Sequence, residues 1–581
     1  MRAWIAALLA VLATLGGAAS AHAGDPIMPL SQVSRGMHCQ ARTVIRGTDV
    51  TTFDAEVLDV VGGANGAGGP MILVRVSGPA VDVTGAGEGF SGSPIYCPDA
   101  QGTLRNAGAL ALGVNDFGNK VLLATPIERI LGEPVDPPTG LRAASRSLGR
   151  VRPLTEPLTF TGLTPALAGA VTAAGRRIGR PLLAAPTEPA QGFPQTPLVP
   201  GSAFGVDFAS GDLGVGAIGT VSYTDGTTVW GFGHPFQGVG PRSLLLQDAF
   251  VYDVINNPIG GPGLTTYKLA APGHDVGTLT NDTIDAVVGR SGALPPLIPL
   301  RVYAYDLDAH TRRVVTSSVV DESGVGEPLG SSALGLIGTL AIAQAGQEVL
   351  RGVPARSTAT MCVRLSVRER RLPLGFCKRY IATTSPGSSD AGPLASLLAG
   401  PAPDFALAAG AVDAATFAPL HVTGADVSLR LRRGLREAAL VDATGPARVR
   451  PGGLARVRLS VRLLRGPRRT LSFGLRVPRG TRRGLLPVIL TGPPADAGGA
   501  DAIGALASIL TVTLGSGGPD QPKAPASMAA LAARIAGIAE YDGVRALFLT
   551  GTRRPKGSGR QAYRNPSLRL TGSAVLLLNV S

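Results

Sequence analysis

The chain reads as mainly β: two β-rich lobes, then a C-terminal β-sandwich-like domain, with a few helices. Three observations predict this. Short apolar runs recur between turns rich in Gly, Pro, Asp and Asn. The 79 glycines and 47 prolines punctuate nearly every run. At 581 residues the chain exceeds what one core supports, so it divides into several units.

The elements follow in order. Residues 1–23 combine a charged start, Met1-Arg2, an apolar stretch and the small-x-small ending Ala21-His22-Ala23, the pattern of a secretory signal peptide. The mature chain is therefore expected outside the cytoplasm, secreted or associated with the cell envelope. Residues 24–136 form a β-rich lobe, with strands expected at 41–45, 52–60, 71–76, 93–97, 109–114 and 120–125 and a short helix or turn at 126–131. Residues 137–200, rich in Pro, Ala and Gly, read as a connector carrying a helix at 165–174. Residues 201–382 form a second lobe. Its Thr224-Asp225-Gly226-Thr227 turn joins two apolar runs into a hairpin, and strands are expected at 279–288 and 297–305. A helix follows at 331–350. Its apolar stretch is broken by Gly335, Gly338 and Gln344 and reads as buried, so no transmembrane span is expected after signal cleavage. Residues 383–404 are a linker by composition, and 405–581 the sandwich, with strands at 427–432, 447–450, 454–464, 469–477 and 567–580 and a helix at 527–538.

Four cysteines in an exported chain predict two disulfides, Cys39 with Cys97 and Cys362 with Cys377. The second would close a hairpin through Arg371-Leu372-Pro373-Leu374-Gly375. Neither C-x-x-C nor H-E-x-x-H is present, and the glycine tracts lack the lysine of a phosphate loop, so neither metal nor cofactor is expected. The net charge of +14, almost all of it arginine, suits acidic partners. Export and the lack of a basic-aromatic module argue against nucleic acid. The Arg-bearing strands between Arg430 and Arg483 could contact an anionic surface, but alternation of Arg with Val or Leu is also what the solvated face of a sandwich looks like, and that reading is preferred.

Chemistry concentrates in two motifs. Gly89-Phe90-Ser91-Gly92-Ser93-Pro94 is a glycine turn that exposes a serine hydroxyl and turns the amides of Gly89 and Ser91 toward a developing oxyanion, with Ser93 a structural neighbour. Gly231-Phe232-Gly233-His234-Pro235 ends an apolar strand on a histidine that can act as general base. Among the other histidines, His38 is a rival base whose place in the opening turn favours a structural role.

Together the motifs resemble the SpoIVB family of serine peptidases, through Gly89-Phe90-Ser91-Gly92-Ser93-Pro94-Ile95 and Gly216-Ala217-Ile218-Gly219-Thr220-Val221-Ser222-Tyr223…Gly231-Phe232-Gly233-His234-Pro235. Met28-Pro29-Leu30, Gly36-Met37, Ala124-Thr125-Pro126-Ile127-Glu128 and Gly277-Thr278-Leu279-Thr280-Asn281-Asp282 extend the resemblance over residues 26–330. It implies that the two lobes form a serine-peptidase-like unit. It also implies an endopeptidase in which Ser91 attacks and His234 is the base, acting on an envelope protein or on itself. The sporulation members carry the histidine before the serine and a PDZ domain ahead of both, unlike this chain. Where the family has its acid, this chain reads Val76-Ser77-Gly78-Pro79; Asp82, Asp225, Asp248 and Asp253 are candidates and the acid stays unassigned. The alternative is a non-catalytic envelope scaffold that keeps the peptidase-like fold.

Overall fold

The computed structural model describes residues 24–62, 69–114, 117–133, 152–154, 158–180, 182–184, 192–258, 266–323, 325, 333–351, 356–383, 394–398, 400–493, 501–513, 524–549 and 560–581. The signal peptide expected at 1–23 lies outside these residues. The chain is mainly β.

The first lobe is a barrel. His38–Val44, Val50–Val61, Met71–Ser77, Val121–Pro126, Leu104–Gly113 and Pro94–Pro98 pair in that order, and Pro94–Pro98 pairs again with His38–Val44 to close the ring. Every pairing in the ring is antiparallel. Alternation along each strand turns Phe53, Val57, Ile72, Val74 and Leu110 inward, with Phe90 of the serine turn among them. Cys39 and Cys97 are disulfide-bonded between two adjacent strands of this barrel.

A second closed barrel follows. Ala203–Asp207, Gly240–Ile255, Tyr267–Asp282, Val287–Ser291, Thr228–Gly231 and Gly214–Asp225 form a ring through the pairing of the first with the last. The connector contributes Leu158–Thr161 and Leu182–Ala184 to its edge and a helix at Pro165–Arg177. The strand expected at 279–288 is two strands. They are separated by a turn in which the Thr283 hydroxyl donates to the Ala286 carbonyl and accepts from the Ala286 amide.

The second lobe also supplies a six-stranded sheet ordered Ala209–Gly211, Thr311–Val320, Leu297–Asp306, Val422–Arg433, Arg356–Val367 and Arg370–Thr383. The helix Ala333–Leu350 lies against it; by length and composition it could cross a membrane, but it is almost wholly buried in the core. Cys362 and Cys377 sit directly opposite each other and are bonded. The turn of their hairpin falls at Arg368 and Glu369; Arg371 to Gly375 lie in the second strand, where a Cβ on Gly375 would lie 2.1 Å from the Val363 oxygen, so only glycine fits. The strand expected to open the sandwich, 427–432, belongs instead to this sheet, since Val422–Arg433 pairs in parallel with Leu297–Asp306 and antiparallel with Arg356–Val367. The expected linker holds a helix, Ala395–Leu398, and the start of another, Pro401–Asp413.

The sandwich begins at Glu437. One sheet is Arg468–Arg476, Leu454–Leu463, Glu437–Thr444 and Arg569–Thr571; the other is Arg560–Tyr563, Val544–Phe548, Gly484–Thr491 and Ser573–Val580. Val457, Leu459, Val461, Val488, Leu490, Leu576 and Leu578 fill the space between them. At 447–450, where a strand is expected, only Val449 makes an isolated bridge, to Val580.

Candidate active site

The Ser91 turn is pressed between the barrels. Gly89 and Gly92 hold left-handed φ values of +86° and +88°. A Cβ on Gly92 would lie 1.8 Å from the Thr220 carbonyl oxygen and 2.6 Å from the Phe232 amide nitrogen, so only glycine lets the turn meet the second barrel. The contact is hydrogen-bonded. The Thr220 amide donates to the Ser91 carbonyl at 2.7 Å, the Gly92 amide donates to Leu110 at 2.7 Å, and the Ser93 hydroxyl donates to the Phe90 carbonyl at 2.6 Å.

His234 comes from the opposite side. Thr228–Gly231 ends, and then Phe232 and Gly233 take φ values of +67° and +68°. A left-handed phenylalanine is a strained residue, and it persists because the surroundings over-determine it. Its ring is fully buried, 5.0 Å from Phe204 and stacked 5.9 Å from the His234 ring. The two left-handed residues bend the chain back onto the first barrel, where the Thr125 hydroxyl donates to the Gly233 carbonyl at 2.5 Å.

The two motifs therefore meet, around Gly219. A side chain added there would touch the Phe232 ring at 2.4 Å and the Ser91 Oγ at 3.1 Å. His234 Nδ1 lies 2.7 Å from the Pro235 carbonyl oxygen. A carbonyl only accepts, so Nδ1 carries the proton and Nε2 keeps its lone pair. Burial holds the imidazole down to about 4, against a smaller opposing effect of the Pro235 bond, and the ring is neutral at physiological pH.

Sequence reasoning missed Lys268. It projects from Tyr267–Asp282 into the seam, where its Nζ donates to Thr43 Oγ1 at 2.7 Å and to Thr220 Oγ1 at 3.1 Å and stands 4.7 Å over the Phe90 ring. Thr220 Oγ1 in turn donates to the Gly89 carbonyl at 3.0 Å, and Ser93 Oγ, its own proton spent on the Phe90 carbonyl, lies 3.2 Å from Thr43 Oγ1 as acceptor. Lys268 thus ties the serine turn to both barrels. Desolvation lowers its amine to about 7, and a neutral amine has two N–H groups for the two threonines. One signal was present: the chain has only five lysines among 54 basic residues, and this one interrupts an apolar strand.

Two expectations are corrected. The Gly89 amide does not face an oxyanion, because it donates to the Leu154 carbonyl at 2.8 Å; Leu154 is brought there by residues 152–154 pairing alongside Leu104–Gly113. The Ser91 hydroxyl is not presented at the surface either. Ser91 is 0 % exposed and His234 4 %, since the second barrel covers the turn.

The candidate acids are engaged elsewhere. Asp82 pairs with Lys120 at 3.3 Å, Asp225 is exposed in its hairpin turn, and Asp253 is exposed and accepts from the Val254 amide. Asp248 is fully buried and serves His274, whose Nδ1 lies 3.0 Å away, and the Thr196 amide. His38 is exposed at the start of its strand, and His421 pairs with Glu369. No family model matches the chain, and neither a curated protein nor a solved structure matches it significantly.

Proposed function

We propose that the protein is an exported serine endopeptidase of the SpoIVB type, held in a closed state in which the barrels cover the nucleophile. The observation that carries this reading is His234: a buried, neutral imidazole whose proton is fixed on Nδ1 by the Pro235 carbonyl, on a strained loop packed against the Ser91 turn. A backbone carbonyl here takes the orienting part that a carboxylate plays in a Ser-His-Asp triad. In the reaction, Ser91 Oγ bonds to the substrate carbonyl carbon as its proton passes to His234 Nε2. That proton then goes to the leaving amine, and water, deprotonated by the same nitrogen, releases the acyl group from Ser91. The substrate is an envelope protein or the chain itself.

Closure has a chemical consequence. The Gly89 amide must leave Leu154 before it can donate to an oxyanion, and the Ser91 turn must part from Thr220 before a peptide can enter. Two disulfides are compatible with an extracytoplasmic protein.

Labelling of the purified mature protein by a fluorophosphonate probe tests the reading, in wild type and in Ser91→Ala, Ser93→Ala and His234→Ala. Labelling that appears in wild type once mild urea loosens the seam, is lost in Ser91→Ala and His234→Ala and is kept in Ser93→Ala is the expected outcome. A second reading, a scaffold without catalysis, is favoured by the full burial of Ser91. It predicts no labelling in folded wild type, even under mild urea that loosens the seam between the barrels.

A further inference from the structure

The positive charge of this chain is concentrated in one place. Between Arg448 and Arg483 there are twelve arginines and neither Asp nor Glu, so this segment carries twelve of the chain's fourteen excess positive charges. All twelve are exposed, and among the described residues none meets a carboxylate.

The sandwich arranges five of them as a flat array. Val457, Leu459 and Val461 point into the core, so Arg456, Arg458 and Arg462 of the same strand point out. Arg468 stands directly opposite Arg462 on the next strand, and Arg476 opposite Leu454. Side chains on one face of a strand repeat every ~7 Å and neighbouring strands lie ~5 Å apart. Arg456 to Arg462 therefore span about 20 Å as a straight track. Like charges directly opposite each other weaken a sheet, and among the described residues neither Arg462 nor Arg468 makes an ion pair. The carboxylates of this sheet, Glu437 and Asp442, both lie on the strand next to the track on its other side; Asp442 faces Ser460, diagonal to Arg458 and Arg462, and Arg468 and Arg476 lie a strand further away.

We propose that this face binds a linear anionic polymer of the cell envelope through phosphodiester groups spaced along the arginine track. Guanidinium matches phosphate with two parallel N–H donors and is weakly hydrated, which suits it to such a surface better than lysine. The face has no exposed aromatic on which a base could stack, since Phe473 is buried and Tyr563 stacks on it inside the sandwich. Two disulfides also mark an oxidising compartment. Among the outward side chains of this face and its hairpin end, Leu454, Val441 and Leu464 are exposed large apolar groups, scattered among the arginines and too little apolar surface to insert into a bilayer.

The test measures binding of the full mature chain to poly(glycerol phosphate) over a salt series. It compares wild type with a variant carrying Arg456→Gln, Arg458→Gln, Arg462→Gln and Arg468→Gln, and with a charge-matched control carrying Arg301→Gln, Arg312→Gln, Arg364→Gln and Arg368→Gln on the six-stranded sheet. The expected result is a salt slope of log K reduced by about three for the first variant and little changed for the control. The melting temperature of the first variant should be equal to or above that of wild type, because the exposed side chains touch no core and the opposed charges are gone. Equal losses in both variants, undiminished binding in the first, or tighter binding to duplex DNA of equal phosphate number or to phosphatidylglycerol vesicles would overturn the assignment.

Discussion

His234 and Lys268 are both basic groups taken out of water, and each makes stability depend on pH in its own window. His234 has an ordinary value of 6.5 and a folded value of about 4. Between those values the unfolded chain binds the proton and the folded chain does not, so stability is intact above 6.5 and falls as pH drops toward 4, by on the order of 3 kcal/mol. Lys268 has an ordinary value of 10.5 and a folded value of about 7, so the same sign applies higher up: stability falls as pH drops from 10.5 to 7, by on the order of 5 kcal/mol. Chemical denaturation from pH 4 to pH 10.5 should show both slopes in wild type. His234→Gln should flatten the lower window alone and Lys268→Met the upper window alone. Slopes that survive both substitutions would assign the dependence to other groups. Opening the seam returns water to the imidazole and removes the desolvation that holds it down, so the pH–rate profile of the opened enzyme should fall off nearer the ordinary 6.5 than the folded value of about 4.

At the scale of elements, hairpins with local turn chemistry were legible in the sequence and long pairings were not. Asp225-Gly226 marks its turn because Gly226 supplies the left-handed residue that a two-residue hairpin needs. The ribbon of Gly240–Ile255 with Tyr267–Asp282 was missed although it is among the longest pairings of the molecule. Its register shifts at four places, and each shift moves the following side chains to the other face and erases the alternation by which a strand is read. The cysteines were legible because they sit on neighbouring strands in register. Their loops differ in length, 58 residues for Cys39–Cys97 and 15 for Cys362–Cys377, so chain entropy assigns about 4 kcal/mol to the first and about 3 kcal/mol to the second. The Cys39→Ser, Cys97→Ser pair should therefore lower the urea midpoint more than Cys362→Ser, Cys377→Ser. It should also speed proteolytic nicking near residues 89–93, because Cys97 anchors the strand that leaves the serine turn. Equal midpoints for the two variants would refute the loop-length argument.

At the scale of the whole molecule, the C-terminal region is not a detachable module. The sandwich is interrupted after Gly484–Thr491 by helices at Ala502–Thr513 and Met528–Gly537, and these leave it to pack into the large core of the second lobe. Ala502, Leu506, Leu510, Leu531 and Ile535 are buried there beside Leu397, Phe405 and Leu340. Arg379 of the six-stranded sheet and Asp542 at the sandwich form a nearly buried ion pair at 3.1 Å across the same boundary. A chain ending after Gly434 should thus expose apolar surface, bind a hydrophobic dye and melt at a lower temperature than the full chain. An undiminished melting temperature would mean that the helices add nothing to that core.

What the sequence by itself determined is local: the glycine turn at Ser91, the strand end at His234, the cysteine pairs, and most strands bounded by turn residues. Each depends on dihedral freedom or alternation within a few residues. Only the tertiary structure decided the state of the site. Closure of two barrels, the burial of Ser91, the capture of the Gly89 amide by Leu154 and the placement of Lys268 against Thr43 and Thr220 join residues up to 225 positions apart. Hydrogen bonding and desolvation are set by whatever the fold brings within a few ångströms, and spacing along the chain does not encode that.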